Sequence, residues 1–115
     1  MHRDDATLLD ILQAADDLLR EIEGQTQQGF LGDFRLRCTV LYQLLLIGEA
    51  VKRLSREFRL SCPQVEWSAI AGMRDRLIHS YDQIDLDLVW AVATTRVPEL
   101  REVLEPLAPP REEPR

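Results

Sequence analysis

The sequence predicts an all-α protein, an antiparallel bundle of four to five helices. Two observations carry that prediction. Apolar residues recur at spacings of three and four in four separate segments, which is the period of a helix with one buried face. Nowhere does apolar–polar alternation between paired turn signals write a strand or a hairpin. Helices joined by short breaks bury such stripes most simply against one another. At 115 residues the chain is sized for a single core, and 45% apolar with 30% charged residues is a globular composition.

In chain order, Leu8, Ile11, Leu12, Ala15, Leu18, Leu19 and Ile22 form the stripe of a first helix. Asp4 or Asp5 can cap its start and Gly24 its end. The segment from Gly24 to Gly32 reads as a loop, with Phe30 and Leu31 turned back onto the core. Asp33 is placed to cap a second, longer helix reaching to about Phe58. Its inward positions are Phe34, Leu41, Leu44, Leu45, Ile47, Val51, Leu54 and Phe58. From Val40 to Ile47 this helix is apolar nearly all round, as a central helix buried on several sides would be. Gly48 is costly inside a helix and points to the close approach of another backbone.

Ser61-Cys-Pro-Gln ends that segment, and Trp67 to Ser80 reads as a third helix with Ile70, Met73 and Leu77 facing in. Asp85 caps a fourth, carrying Leu88, Val89, Val92, Val97, Leu100, Val103 and Leu104, in which Pro98 predicts a kink or a break. The helical domain is expected to occupy residues 1–107. Ala108 to Arg115, with three prolines among charges, is expected to be a disordered tail.

No apolar run approaches the roughly 20 residues that span a bilayer, and Met-His-Arg-Asp-Asp is an unlikely start for a signal peptide by its chemistry. Cys38 and Cys62, 24 positions apart, make neither a disulfide framework nor a zinc site; free thiols in a reducing cytoplasm are expected. The net charge of −6 argues against a nucleic-acid partner, but its distribution does not. Residues 1–34 carry eight acids and two bases, residues 35–76 four acids and eight bases, residues 77–115 eight acids and four bases. The positive charge is concentrated in the middle of the chain, where a local field could steer an anion. Lys52, Arg53, Arg56 and Arg59 form a basic stretch on the last two turns of the long helix, of which Arg53, Arg56 and Arg59 either extend an RNA track or form a solvated face.

Chemistry is concentrated in Arg74, Asp75, His79 and Tyr81, within a chain that has only one other histidine, the N-terminal His2. Five helical steps turn about 140°, so Arg74 and His79 would not share a face of one ideal helix. They can converge if His79 lies at a fraying helix end, or if two copies of the helix meet. Asp75 lies four positions before His79, where a carboxylate can orient an imidazole. A guanidinium is matched to phosphate, and an imidazole can move a proton, which suffices to cleave RNA through its own 2′-hydroxyl without a metal. The spacing equally allows a histidine that merely complements the dipole of a helix C-terminus.

Gly-Met-Arg-Asp-Arg-Leu-Ile-His-Ser-Tyr81, followed by Ile84-Asp-Leu-Asp-Leu-Val-Trp90, closely resembles the HepT-like branch of the HEPN superfamily. Ile47-Gly-Glu-Ala-Val-Lys-Arg-Leu54 and Val65-Glu-Trp-Ser-Ala-Ile70 look like the same family, and the likeness runs to about Leu107. The resemblance implies a homodimeric helical bundle whose Arg74 and His79 pairs face a shared cleft. It implies a metal-independent endoribonuclease, needing no cofactor, as the toxin of a two-gene toxin–antitoxin module. Arg74 and His79 would be catalytic, with Asp75 in support. The cognate antitoxin would be a small nucleotidyltransferase able to transfer AMP onto Tyr81. The alternative from another class is a non-catalytic helical dimer that binds nucleotide or partner and works with such a nucleotidyltransferase. Gly48 and Glu49 read as helix packing and a dimer contact, and Trp67 and Trp90 as core or interface anchors.

Overall fold

The computed structural model describes residues 3–111. Their helices are α1 (Asp5–Ile22), α2 (Gln27–Gly32), α3 (Phe34–Arg53), α4 (Arg56–Ser61), α5 (Trp67–His79), α6 (Leu86–Ala91) and α7 (Val97–Leu104). A 3-10 turn at Tyr81–Gln83 leads from α5 towards α6, and a π-helical turn at Val92–Arg96 links α6 to α7. No strand occurs among the described residues, and the architecture is the predicted all-α antiparallel bundle. The four predicted helices correspond to α1, α3, α5 and the continuous stretch α6–α7; α2 and α4 are additional helices of six residues each.

α3 is the hub, packed against both α1 and α5. The core is built from the predicted stripes: Leu8, Ile11, Leu12 and Leu18 of α1 meet Val40, Ile47 and Val51 of α3, with Ile70 and Met73 of α5 and Val89, Leu100 and Leu104 closing it. Cutting back such a fully buried leucine costs about 2–5 kcal/mol, so each of these positions matters individually.

Several expectations need correction. The supposed loop after Gly24 contains α2, because Thr26 caps it by accepting a 3.0 Å hydrogen bond from Gly29 N–H. Gly24 itself has a positive φ of 75°, the left-handed conformation that a glycine takes readily after a helix. Phe30 is fully buried against Trp90, ring centroids 5.2 Å apart, whereas Leu31 lies outside the core. Phe34, counted as an inward position, is 69% exposed.

The long central helix ends at Arg53 rather than near Phe58. Leu54 turns to an extended conformation and Ser55 starts α4, its hydroxyl accepting from Phe58 N–H. What holds the break is the buried carboxylate of Asp4, which accepts from both Ser55 N–H at 2.9 Å and Ser55 Oγ at 2.7 Å. Asp4 is one of the two residues, with Asp5, that the sequence offers as the cap of α1. It occupies the position before α1, but its side chain makes no capping hydrogen bond there.

Pro98 does not break the fourth helix. The π turn before it moves the bonding pattern by one residue, so that Val97 N–H donates to the carbonyl of Val92, and Pro98 then falls in the first turn of α7. A proline lacks only a donor that a first turn would leave unused. Of the expected tail, residues 108–111 are described. Ala108 packs against the core, and Arg111 pairs with Asp16 at 2.8 Å and with Glu105 at 2.7 Å. Residues 112–115 and His2 lie outside the described residues.

Candidate active site

Gly48 sets the geometry. A Cβ built on it would lie 2.3 Å from Arg74 Cβ and 2.9 Å from Arg74 Cγ. Any other residue would push α5 off α3, so the predicted close approach is that of Arg74 itself. With α5 seated this way, the Arg74 guanidinium reaches the next residue of α3. Its Nε donates to Glu49 Oε1, its Nη2 pairs with the same oxygen, and its Nη1 donates to Asp75 Oδ1 at 2.9 Å. Lys52, one turn after Gly48, donates to that same Asp75 oxygen at 2.9 Å.

Glu49, Arg74, Asp75 and Lys52 therefore alternate in sign along one connected network. The hydrogen bonds that Arg74 donates to Asp75, then to Glu49, hold its guanidinium above its usual range, so it is a permanent cation. Lys52, then Arg74, hold the Asp75 carboxyl below the usual carboxylate range. Arg74 is 20% exposed at its side chain, and its planar fork has five N–H donors, of which this network uses three. The geometry fixes the arginine while leaving donors for a further anion.

His79 is the last residue of α5 and is exposed. Helical geometry persists through it, so Arg74 and His79 leave the helix about 140° apart and do not converge by fraying. Asp75, the expected orienting partner, makes its hydrogen bonds to Lys52 and Arg74; among the described residues none joins it to His79. Tyr81 opens the 3-10 turn that follows and is 74% exposed, its ring standing off the bundle. The structure thus brings Arg74 and Asp75 together, and places His79 and Tyr81 at the exposed end of the same helix. Among the described residues no group of three or more His, Cys, Asp or Glu side chains is placed to hold a metal ion.

Sequence reasoning undervalued Glu49 and Lys52. The available signal was their spacing of three on one helix directly after Gly48, which puts a carboxylate and an ammonium beside whatever packs on the glycine. The supposed basic stretch is divided: Lys52 and Arg53 end α3, while Arg56 and Arg59 belong to α4, and Arg53 faces Asp10 at 3.5 Å. Trp67 is an anchor, its indole N–H shared between the carbonyls of Arg59 at 3.0 Å and Cys62 at 3.1 Å.

A family model described as Ribonuclease HepT-like matches residues 11–107, the span that contains all of α3, α5 and the network between them. The chain belongs to the HepT-like ribonuclease family. Among the relatives of this HepT-like chain, "Putative RNase TTE0752" of Caldanaerobacter subterraneus subsp. tengcongensis is 39% identical over 90 residues, 78% of this chain and 80% of that protein. "Putative RNase MJ1216" of Methanocaldococcus jannaschii is 34% identical over 100 residues, 87% of this chain and 83% of that protein. "Probable ribonuclease HepT" of Thermococcus cleftensis is 31% identical over 108 residues, 93% of this chain and 98% of that protein. No solved structure matches significantly. Among the described residues, no helix is long and apolar enough to cross a membrane.

Proposed function

We propose that this HepT-like chain is a metal-independent endoribonuclease of the cytoplasm, the toxin of a two-gene toxin–antitoxin module. The observation that carries the reading is the Arg74 fork, fixed by Glu49 and Asp75 on a helix that ends in exposed His79. Arg74 binds the scissile phosphate and offsets charge on the phosphorane. His79 takes the proton of the 2′-hydroxyl, whose oxygen attacks the adjacent phosphorus. The P–O5′ bond breaks, the 5′ oxygen leaves with the proton that the imidazolium returns, and a 2′,3′-cyclic phosphate remains. Because Arg74 and His79 diverge on one helix, the reading includes a homodimer in which both pairs line one cleft.

Exposed Tyr81 is the proposed point of control. A nucleotidyltransferase antitoxin would let its phenolate oxygen attack the α-phosphorus of ATP, releasing pyrophosphate and leaving AMP on the ring. The added bulk and negative charge two residues from His79 would exclude RNA. The test is induction of the wild-type chain and of His79→Ala in cells lacking the antitoxin. Growth arrest by the wild type alone is expected, and equal arrest by both would overturn the assignment of His79.

One observation favours a second reading. Arg74 already has two carboxylates on it, and the chain as a whole is acidic, so a non-catalytic dimer that binds nucleotide or partner is the competitor. It predicts intact RNA with protein whose mass shows an unmodified Tyr81.

A further inference from the structure

Arg74 and His79 diverge on α5, but another arginine does share a face with His79. Arg76 stands three positions before it, a neighbour on the helix surface, and about 200° round the helix from Arg74. Arg76 is exposed, and among the described residues its side chain has no hydrogen-bond or ion-pair partner. It overhangs a groove between α5 and the stretch that runs from α6 into the π turn. The groove holds two adjoining cavities of about 290 and 240 Å³, both lined by Met73, Arg76 and Leu88.

Two rows of residues wall the groove, each in steps of four. α5 and the residue that ends it give Ser68, Gly72, Arg76 and Ser80. The facing wall gives Arg96, Val92, Leu88 and Ile84, in the reverse direction. Each row spans about 18 Å of helix. Gly72 is the residue that the fold leaves unexplained, since a glycine inside a helix is costly. Gly48 is required by the approach of Arg74, whereas a Cβ at Gly72 would meet nothing within 4 Å. This chain makes no use of the room above it.

We infer that this groove is an RNA subsite, taking the strand that flanks the scissile phosphate. The inference rests on the ribonuclease reading above and adds a binding surface to it. Charge selects the occupant. Arg76 and Arg96 stand on opposite walls, and among the described residues Arg96 has a 3.4 Å contact with Glu99 alone to compete with a phosphate. Asp85, the carboxylate that lines the groove, is turned to its own helix, its Oδ1 accepting from Leu88 N–H at 3.1 Å. Phosphate contacts would position the strand, and unstacked bases of single-stranded RNA settle on flat groups, arginine planes included. Met73, Leu88 and Val92 supply an apolar floor, and Gly72 leaves the depth for a ring. Ser80 lines the end of the groove next to His79, so a strand leaving His79 along it has its next phosphate at Arg76.

The test reads binding without cleavage, so its failure is distinct from failure of the cleavage chemistry. The parent is the full chain carrying His79→Ala. It is titrated with a short fluorescein-labelled single-stranded RNA of mixed sequence, and anisotropy is read at several salt concentrations. Adding Arg76→Ala and Arg96→Ala should weaken binding about tenfold and lower the slope of log affinity against log salt by about 0.7 per arginine. Gly72→Leu should fill the groove and weaken binding, with the helical CD spectrum kept and the melting temperature not lowered. Arg20→Ala, on the exposed side of α1, should bind as the parent does. A parent that binds no RNA would overturn the inference. So would an equal loss from Arg20→Ala, the mark of a diffuse field, and so would groove variants that bind like the parent, which would leave the groove to a protein partner. Binding through the groove by a wild type that does not cleave would support the inference and count against the cleavage reading alone.

Discussion

Among the described residues, Arg74 and Arg111 each sit between two carboxylates, and they do different things. Arg111 bridges Asp16 and Glu105, and Arg101 joins Asp16 as well, so the end of the described chain is clasped onto α1 beside α7. Arg74 bridges Glu49 and Asp75 across α3 and α5. Both guanidinium groups are held above their usual range by those partners, Arg111 by Glu105 and then Asp16. Perturbation alone therefore does not mark a site. What differs is the setting. Arg74 is pinned at its base by a glycine it almost touches, and its helix ends in an exposed histidine with a tyrosine two residues on.

That contrast can be broken at either end, and the largest effect is expected at His79. His79→Ala should lower RNA cleavage by about 10²–10⁴-fold with thermal stability unchanged, since an exposed terminal helix residue holds nothing in place. Next comes Gly48→Ala. Its added Cβ meets the first carbons of Arg74, so about 1–3 kcal/mol of stability should be lost in denaturant titration, together with cleavage. Arg74→Lys follows: a point charge cannot span Glu49 and Asp75 as a fork does, and cleavage should fall while the circular dichroism spectrum is retained. Arg111→Ala should sharpen the comparison by doing little, a loss of about 0.2–1 kcal/mol for a partly exposed ion pair and no change in cleavage.

The smallest effect is a pH dependence. Burial pushes the Asp16 carboxyl up, but the hydrogen bonds from Arg101 and Arg111 outweigh it, and the net position is below the ordinary carboxylate value. A group depressed in the folded state stabilises above its unfolded value, about 3.9, and that stabilisation is lost as pH falls through the folded value. Melting temperatures from pH 6 down to pH 3 should therefore converge for the wild type and Asp16→Asn; a constant gap throughout would remove the clasp from the account.

The fold was legible because its signals were long and periodic. Most positions of the four apolar stripes face the core as their spacing predicts, though Phe34 is exposed and Phe58 falls on α4, and Asp33 and Asp85 cap α3 and α6 through their side chains, accepting from Leu36 and Leu88 N–H. What was not legible came from distant partners. The break at Ser55 depends on Asp4, fifty-one residues away, and no local pattern announces it. The fate of Pro98 depended on a π turn, which has no composition of its own. At the site, the reactive quartet was visible as a cluster, and Gly48 gave away the close approach. The partners of Asp75 were misread because a spacing of four suggests contact along one helix, whereas Lys52 reached it from another. Sequence spacing ranks neighbours within an element and says nothing of competition from the next one.

The central claim is that Arg74 and His79 cut RNA through its own 2′-hydroxyl. The most direct measurement is incubation of total RNA with purified protein, its mass showing Tyr81 unmodified, in excess EDTA, beside His79→Ala. The account predicts cleavage by the wild type alone, with 2′,3′-cyclic phosphate ends. Intact RNA, or equal cleavage by both proteins, would contradict it.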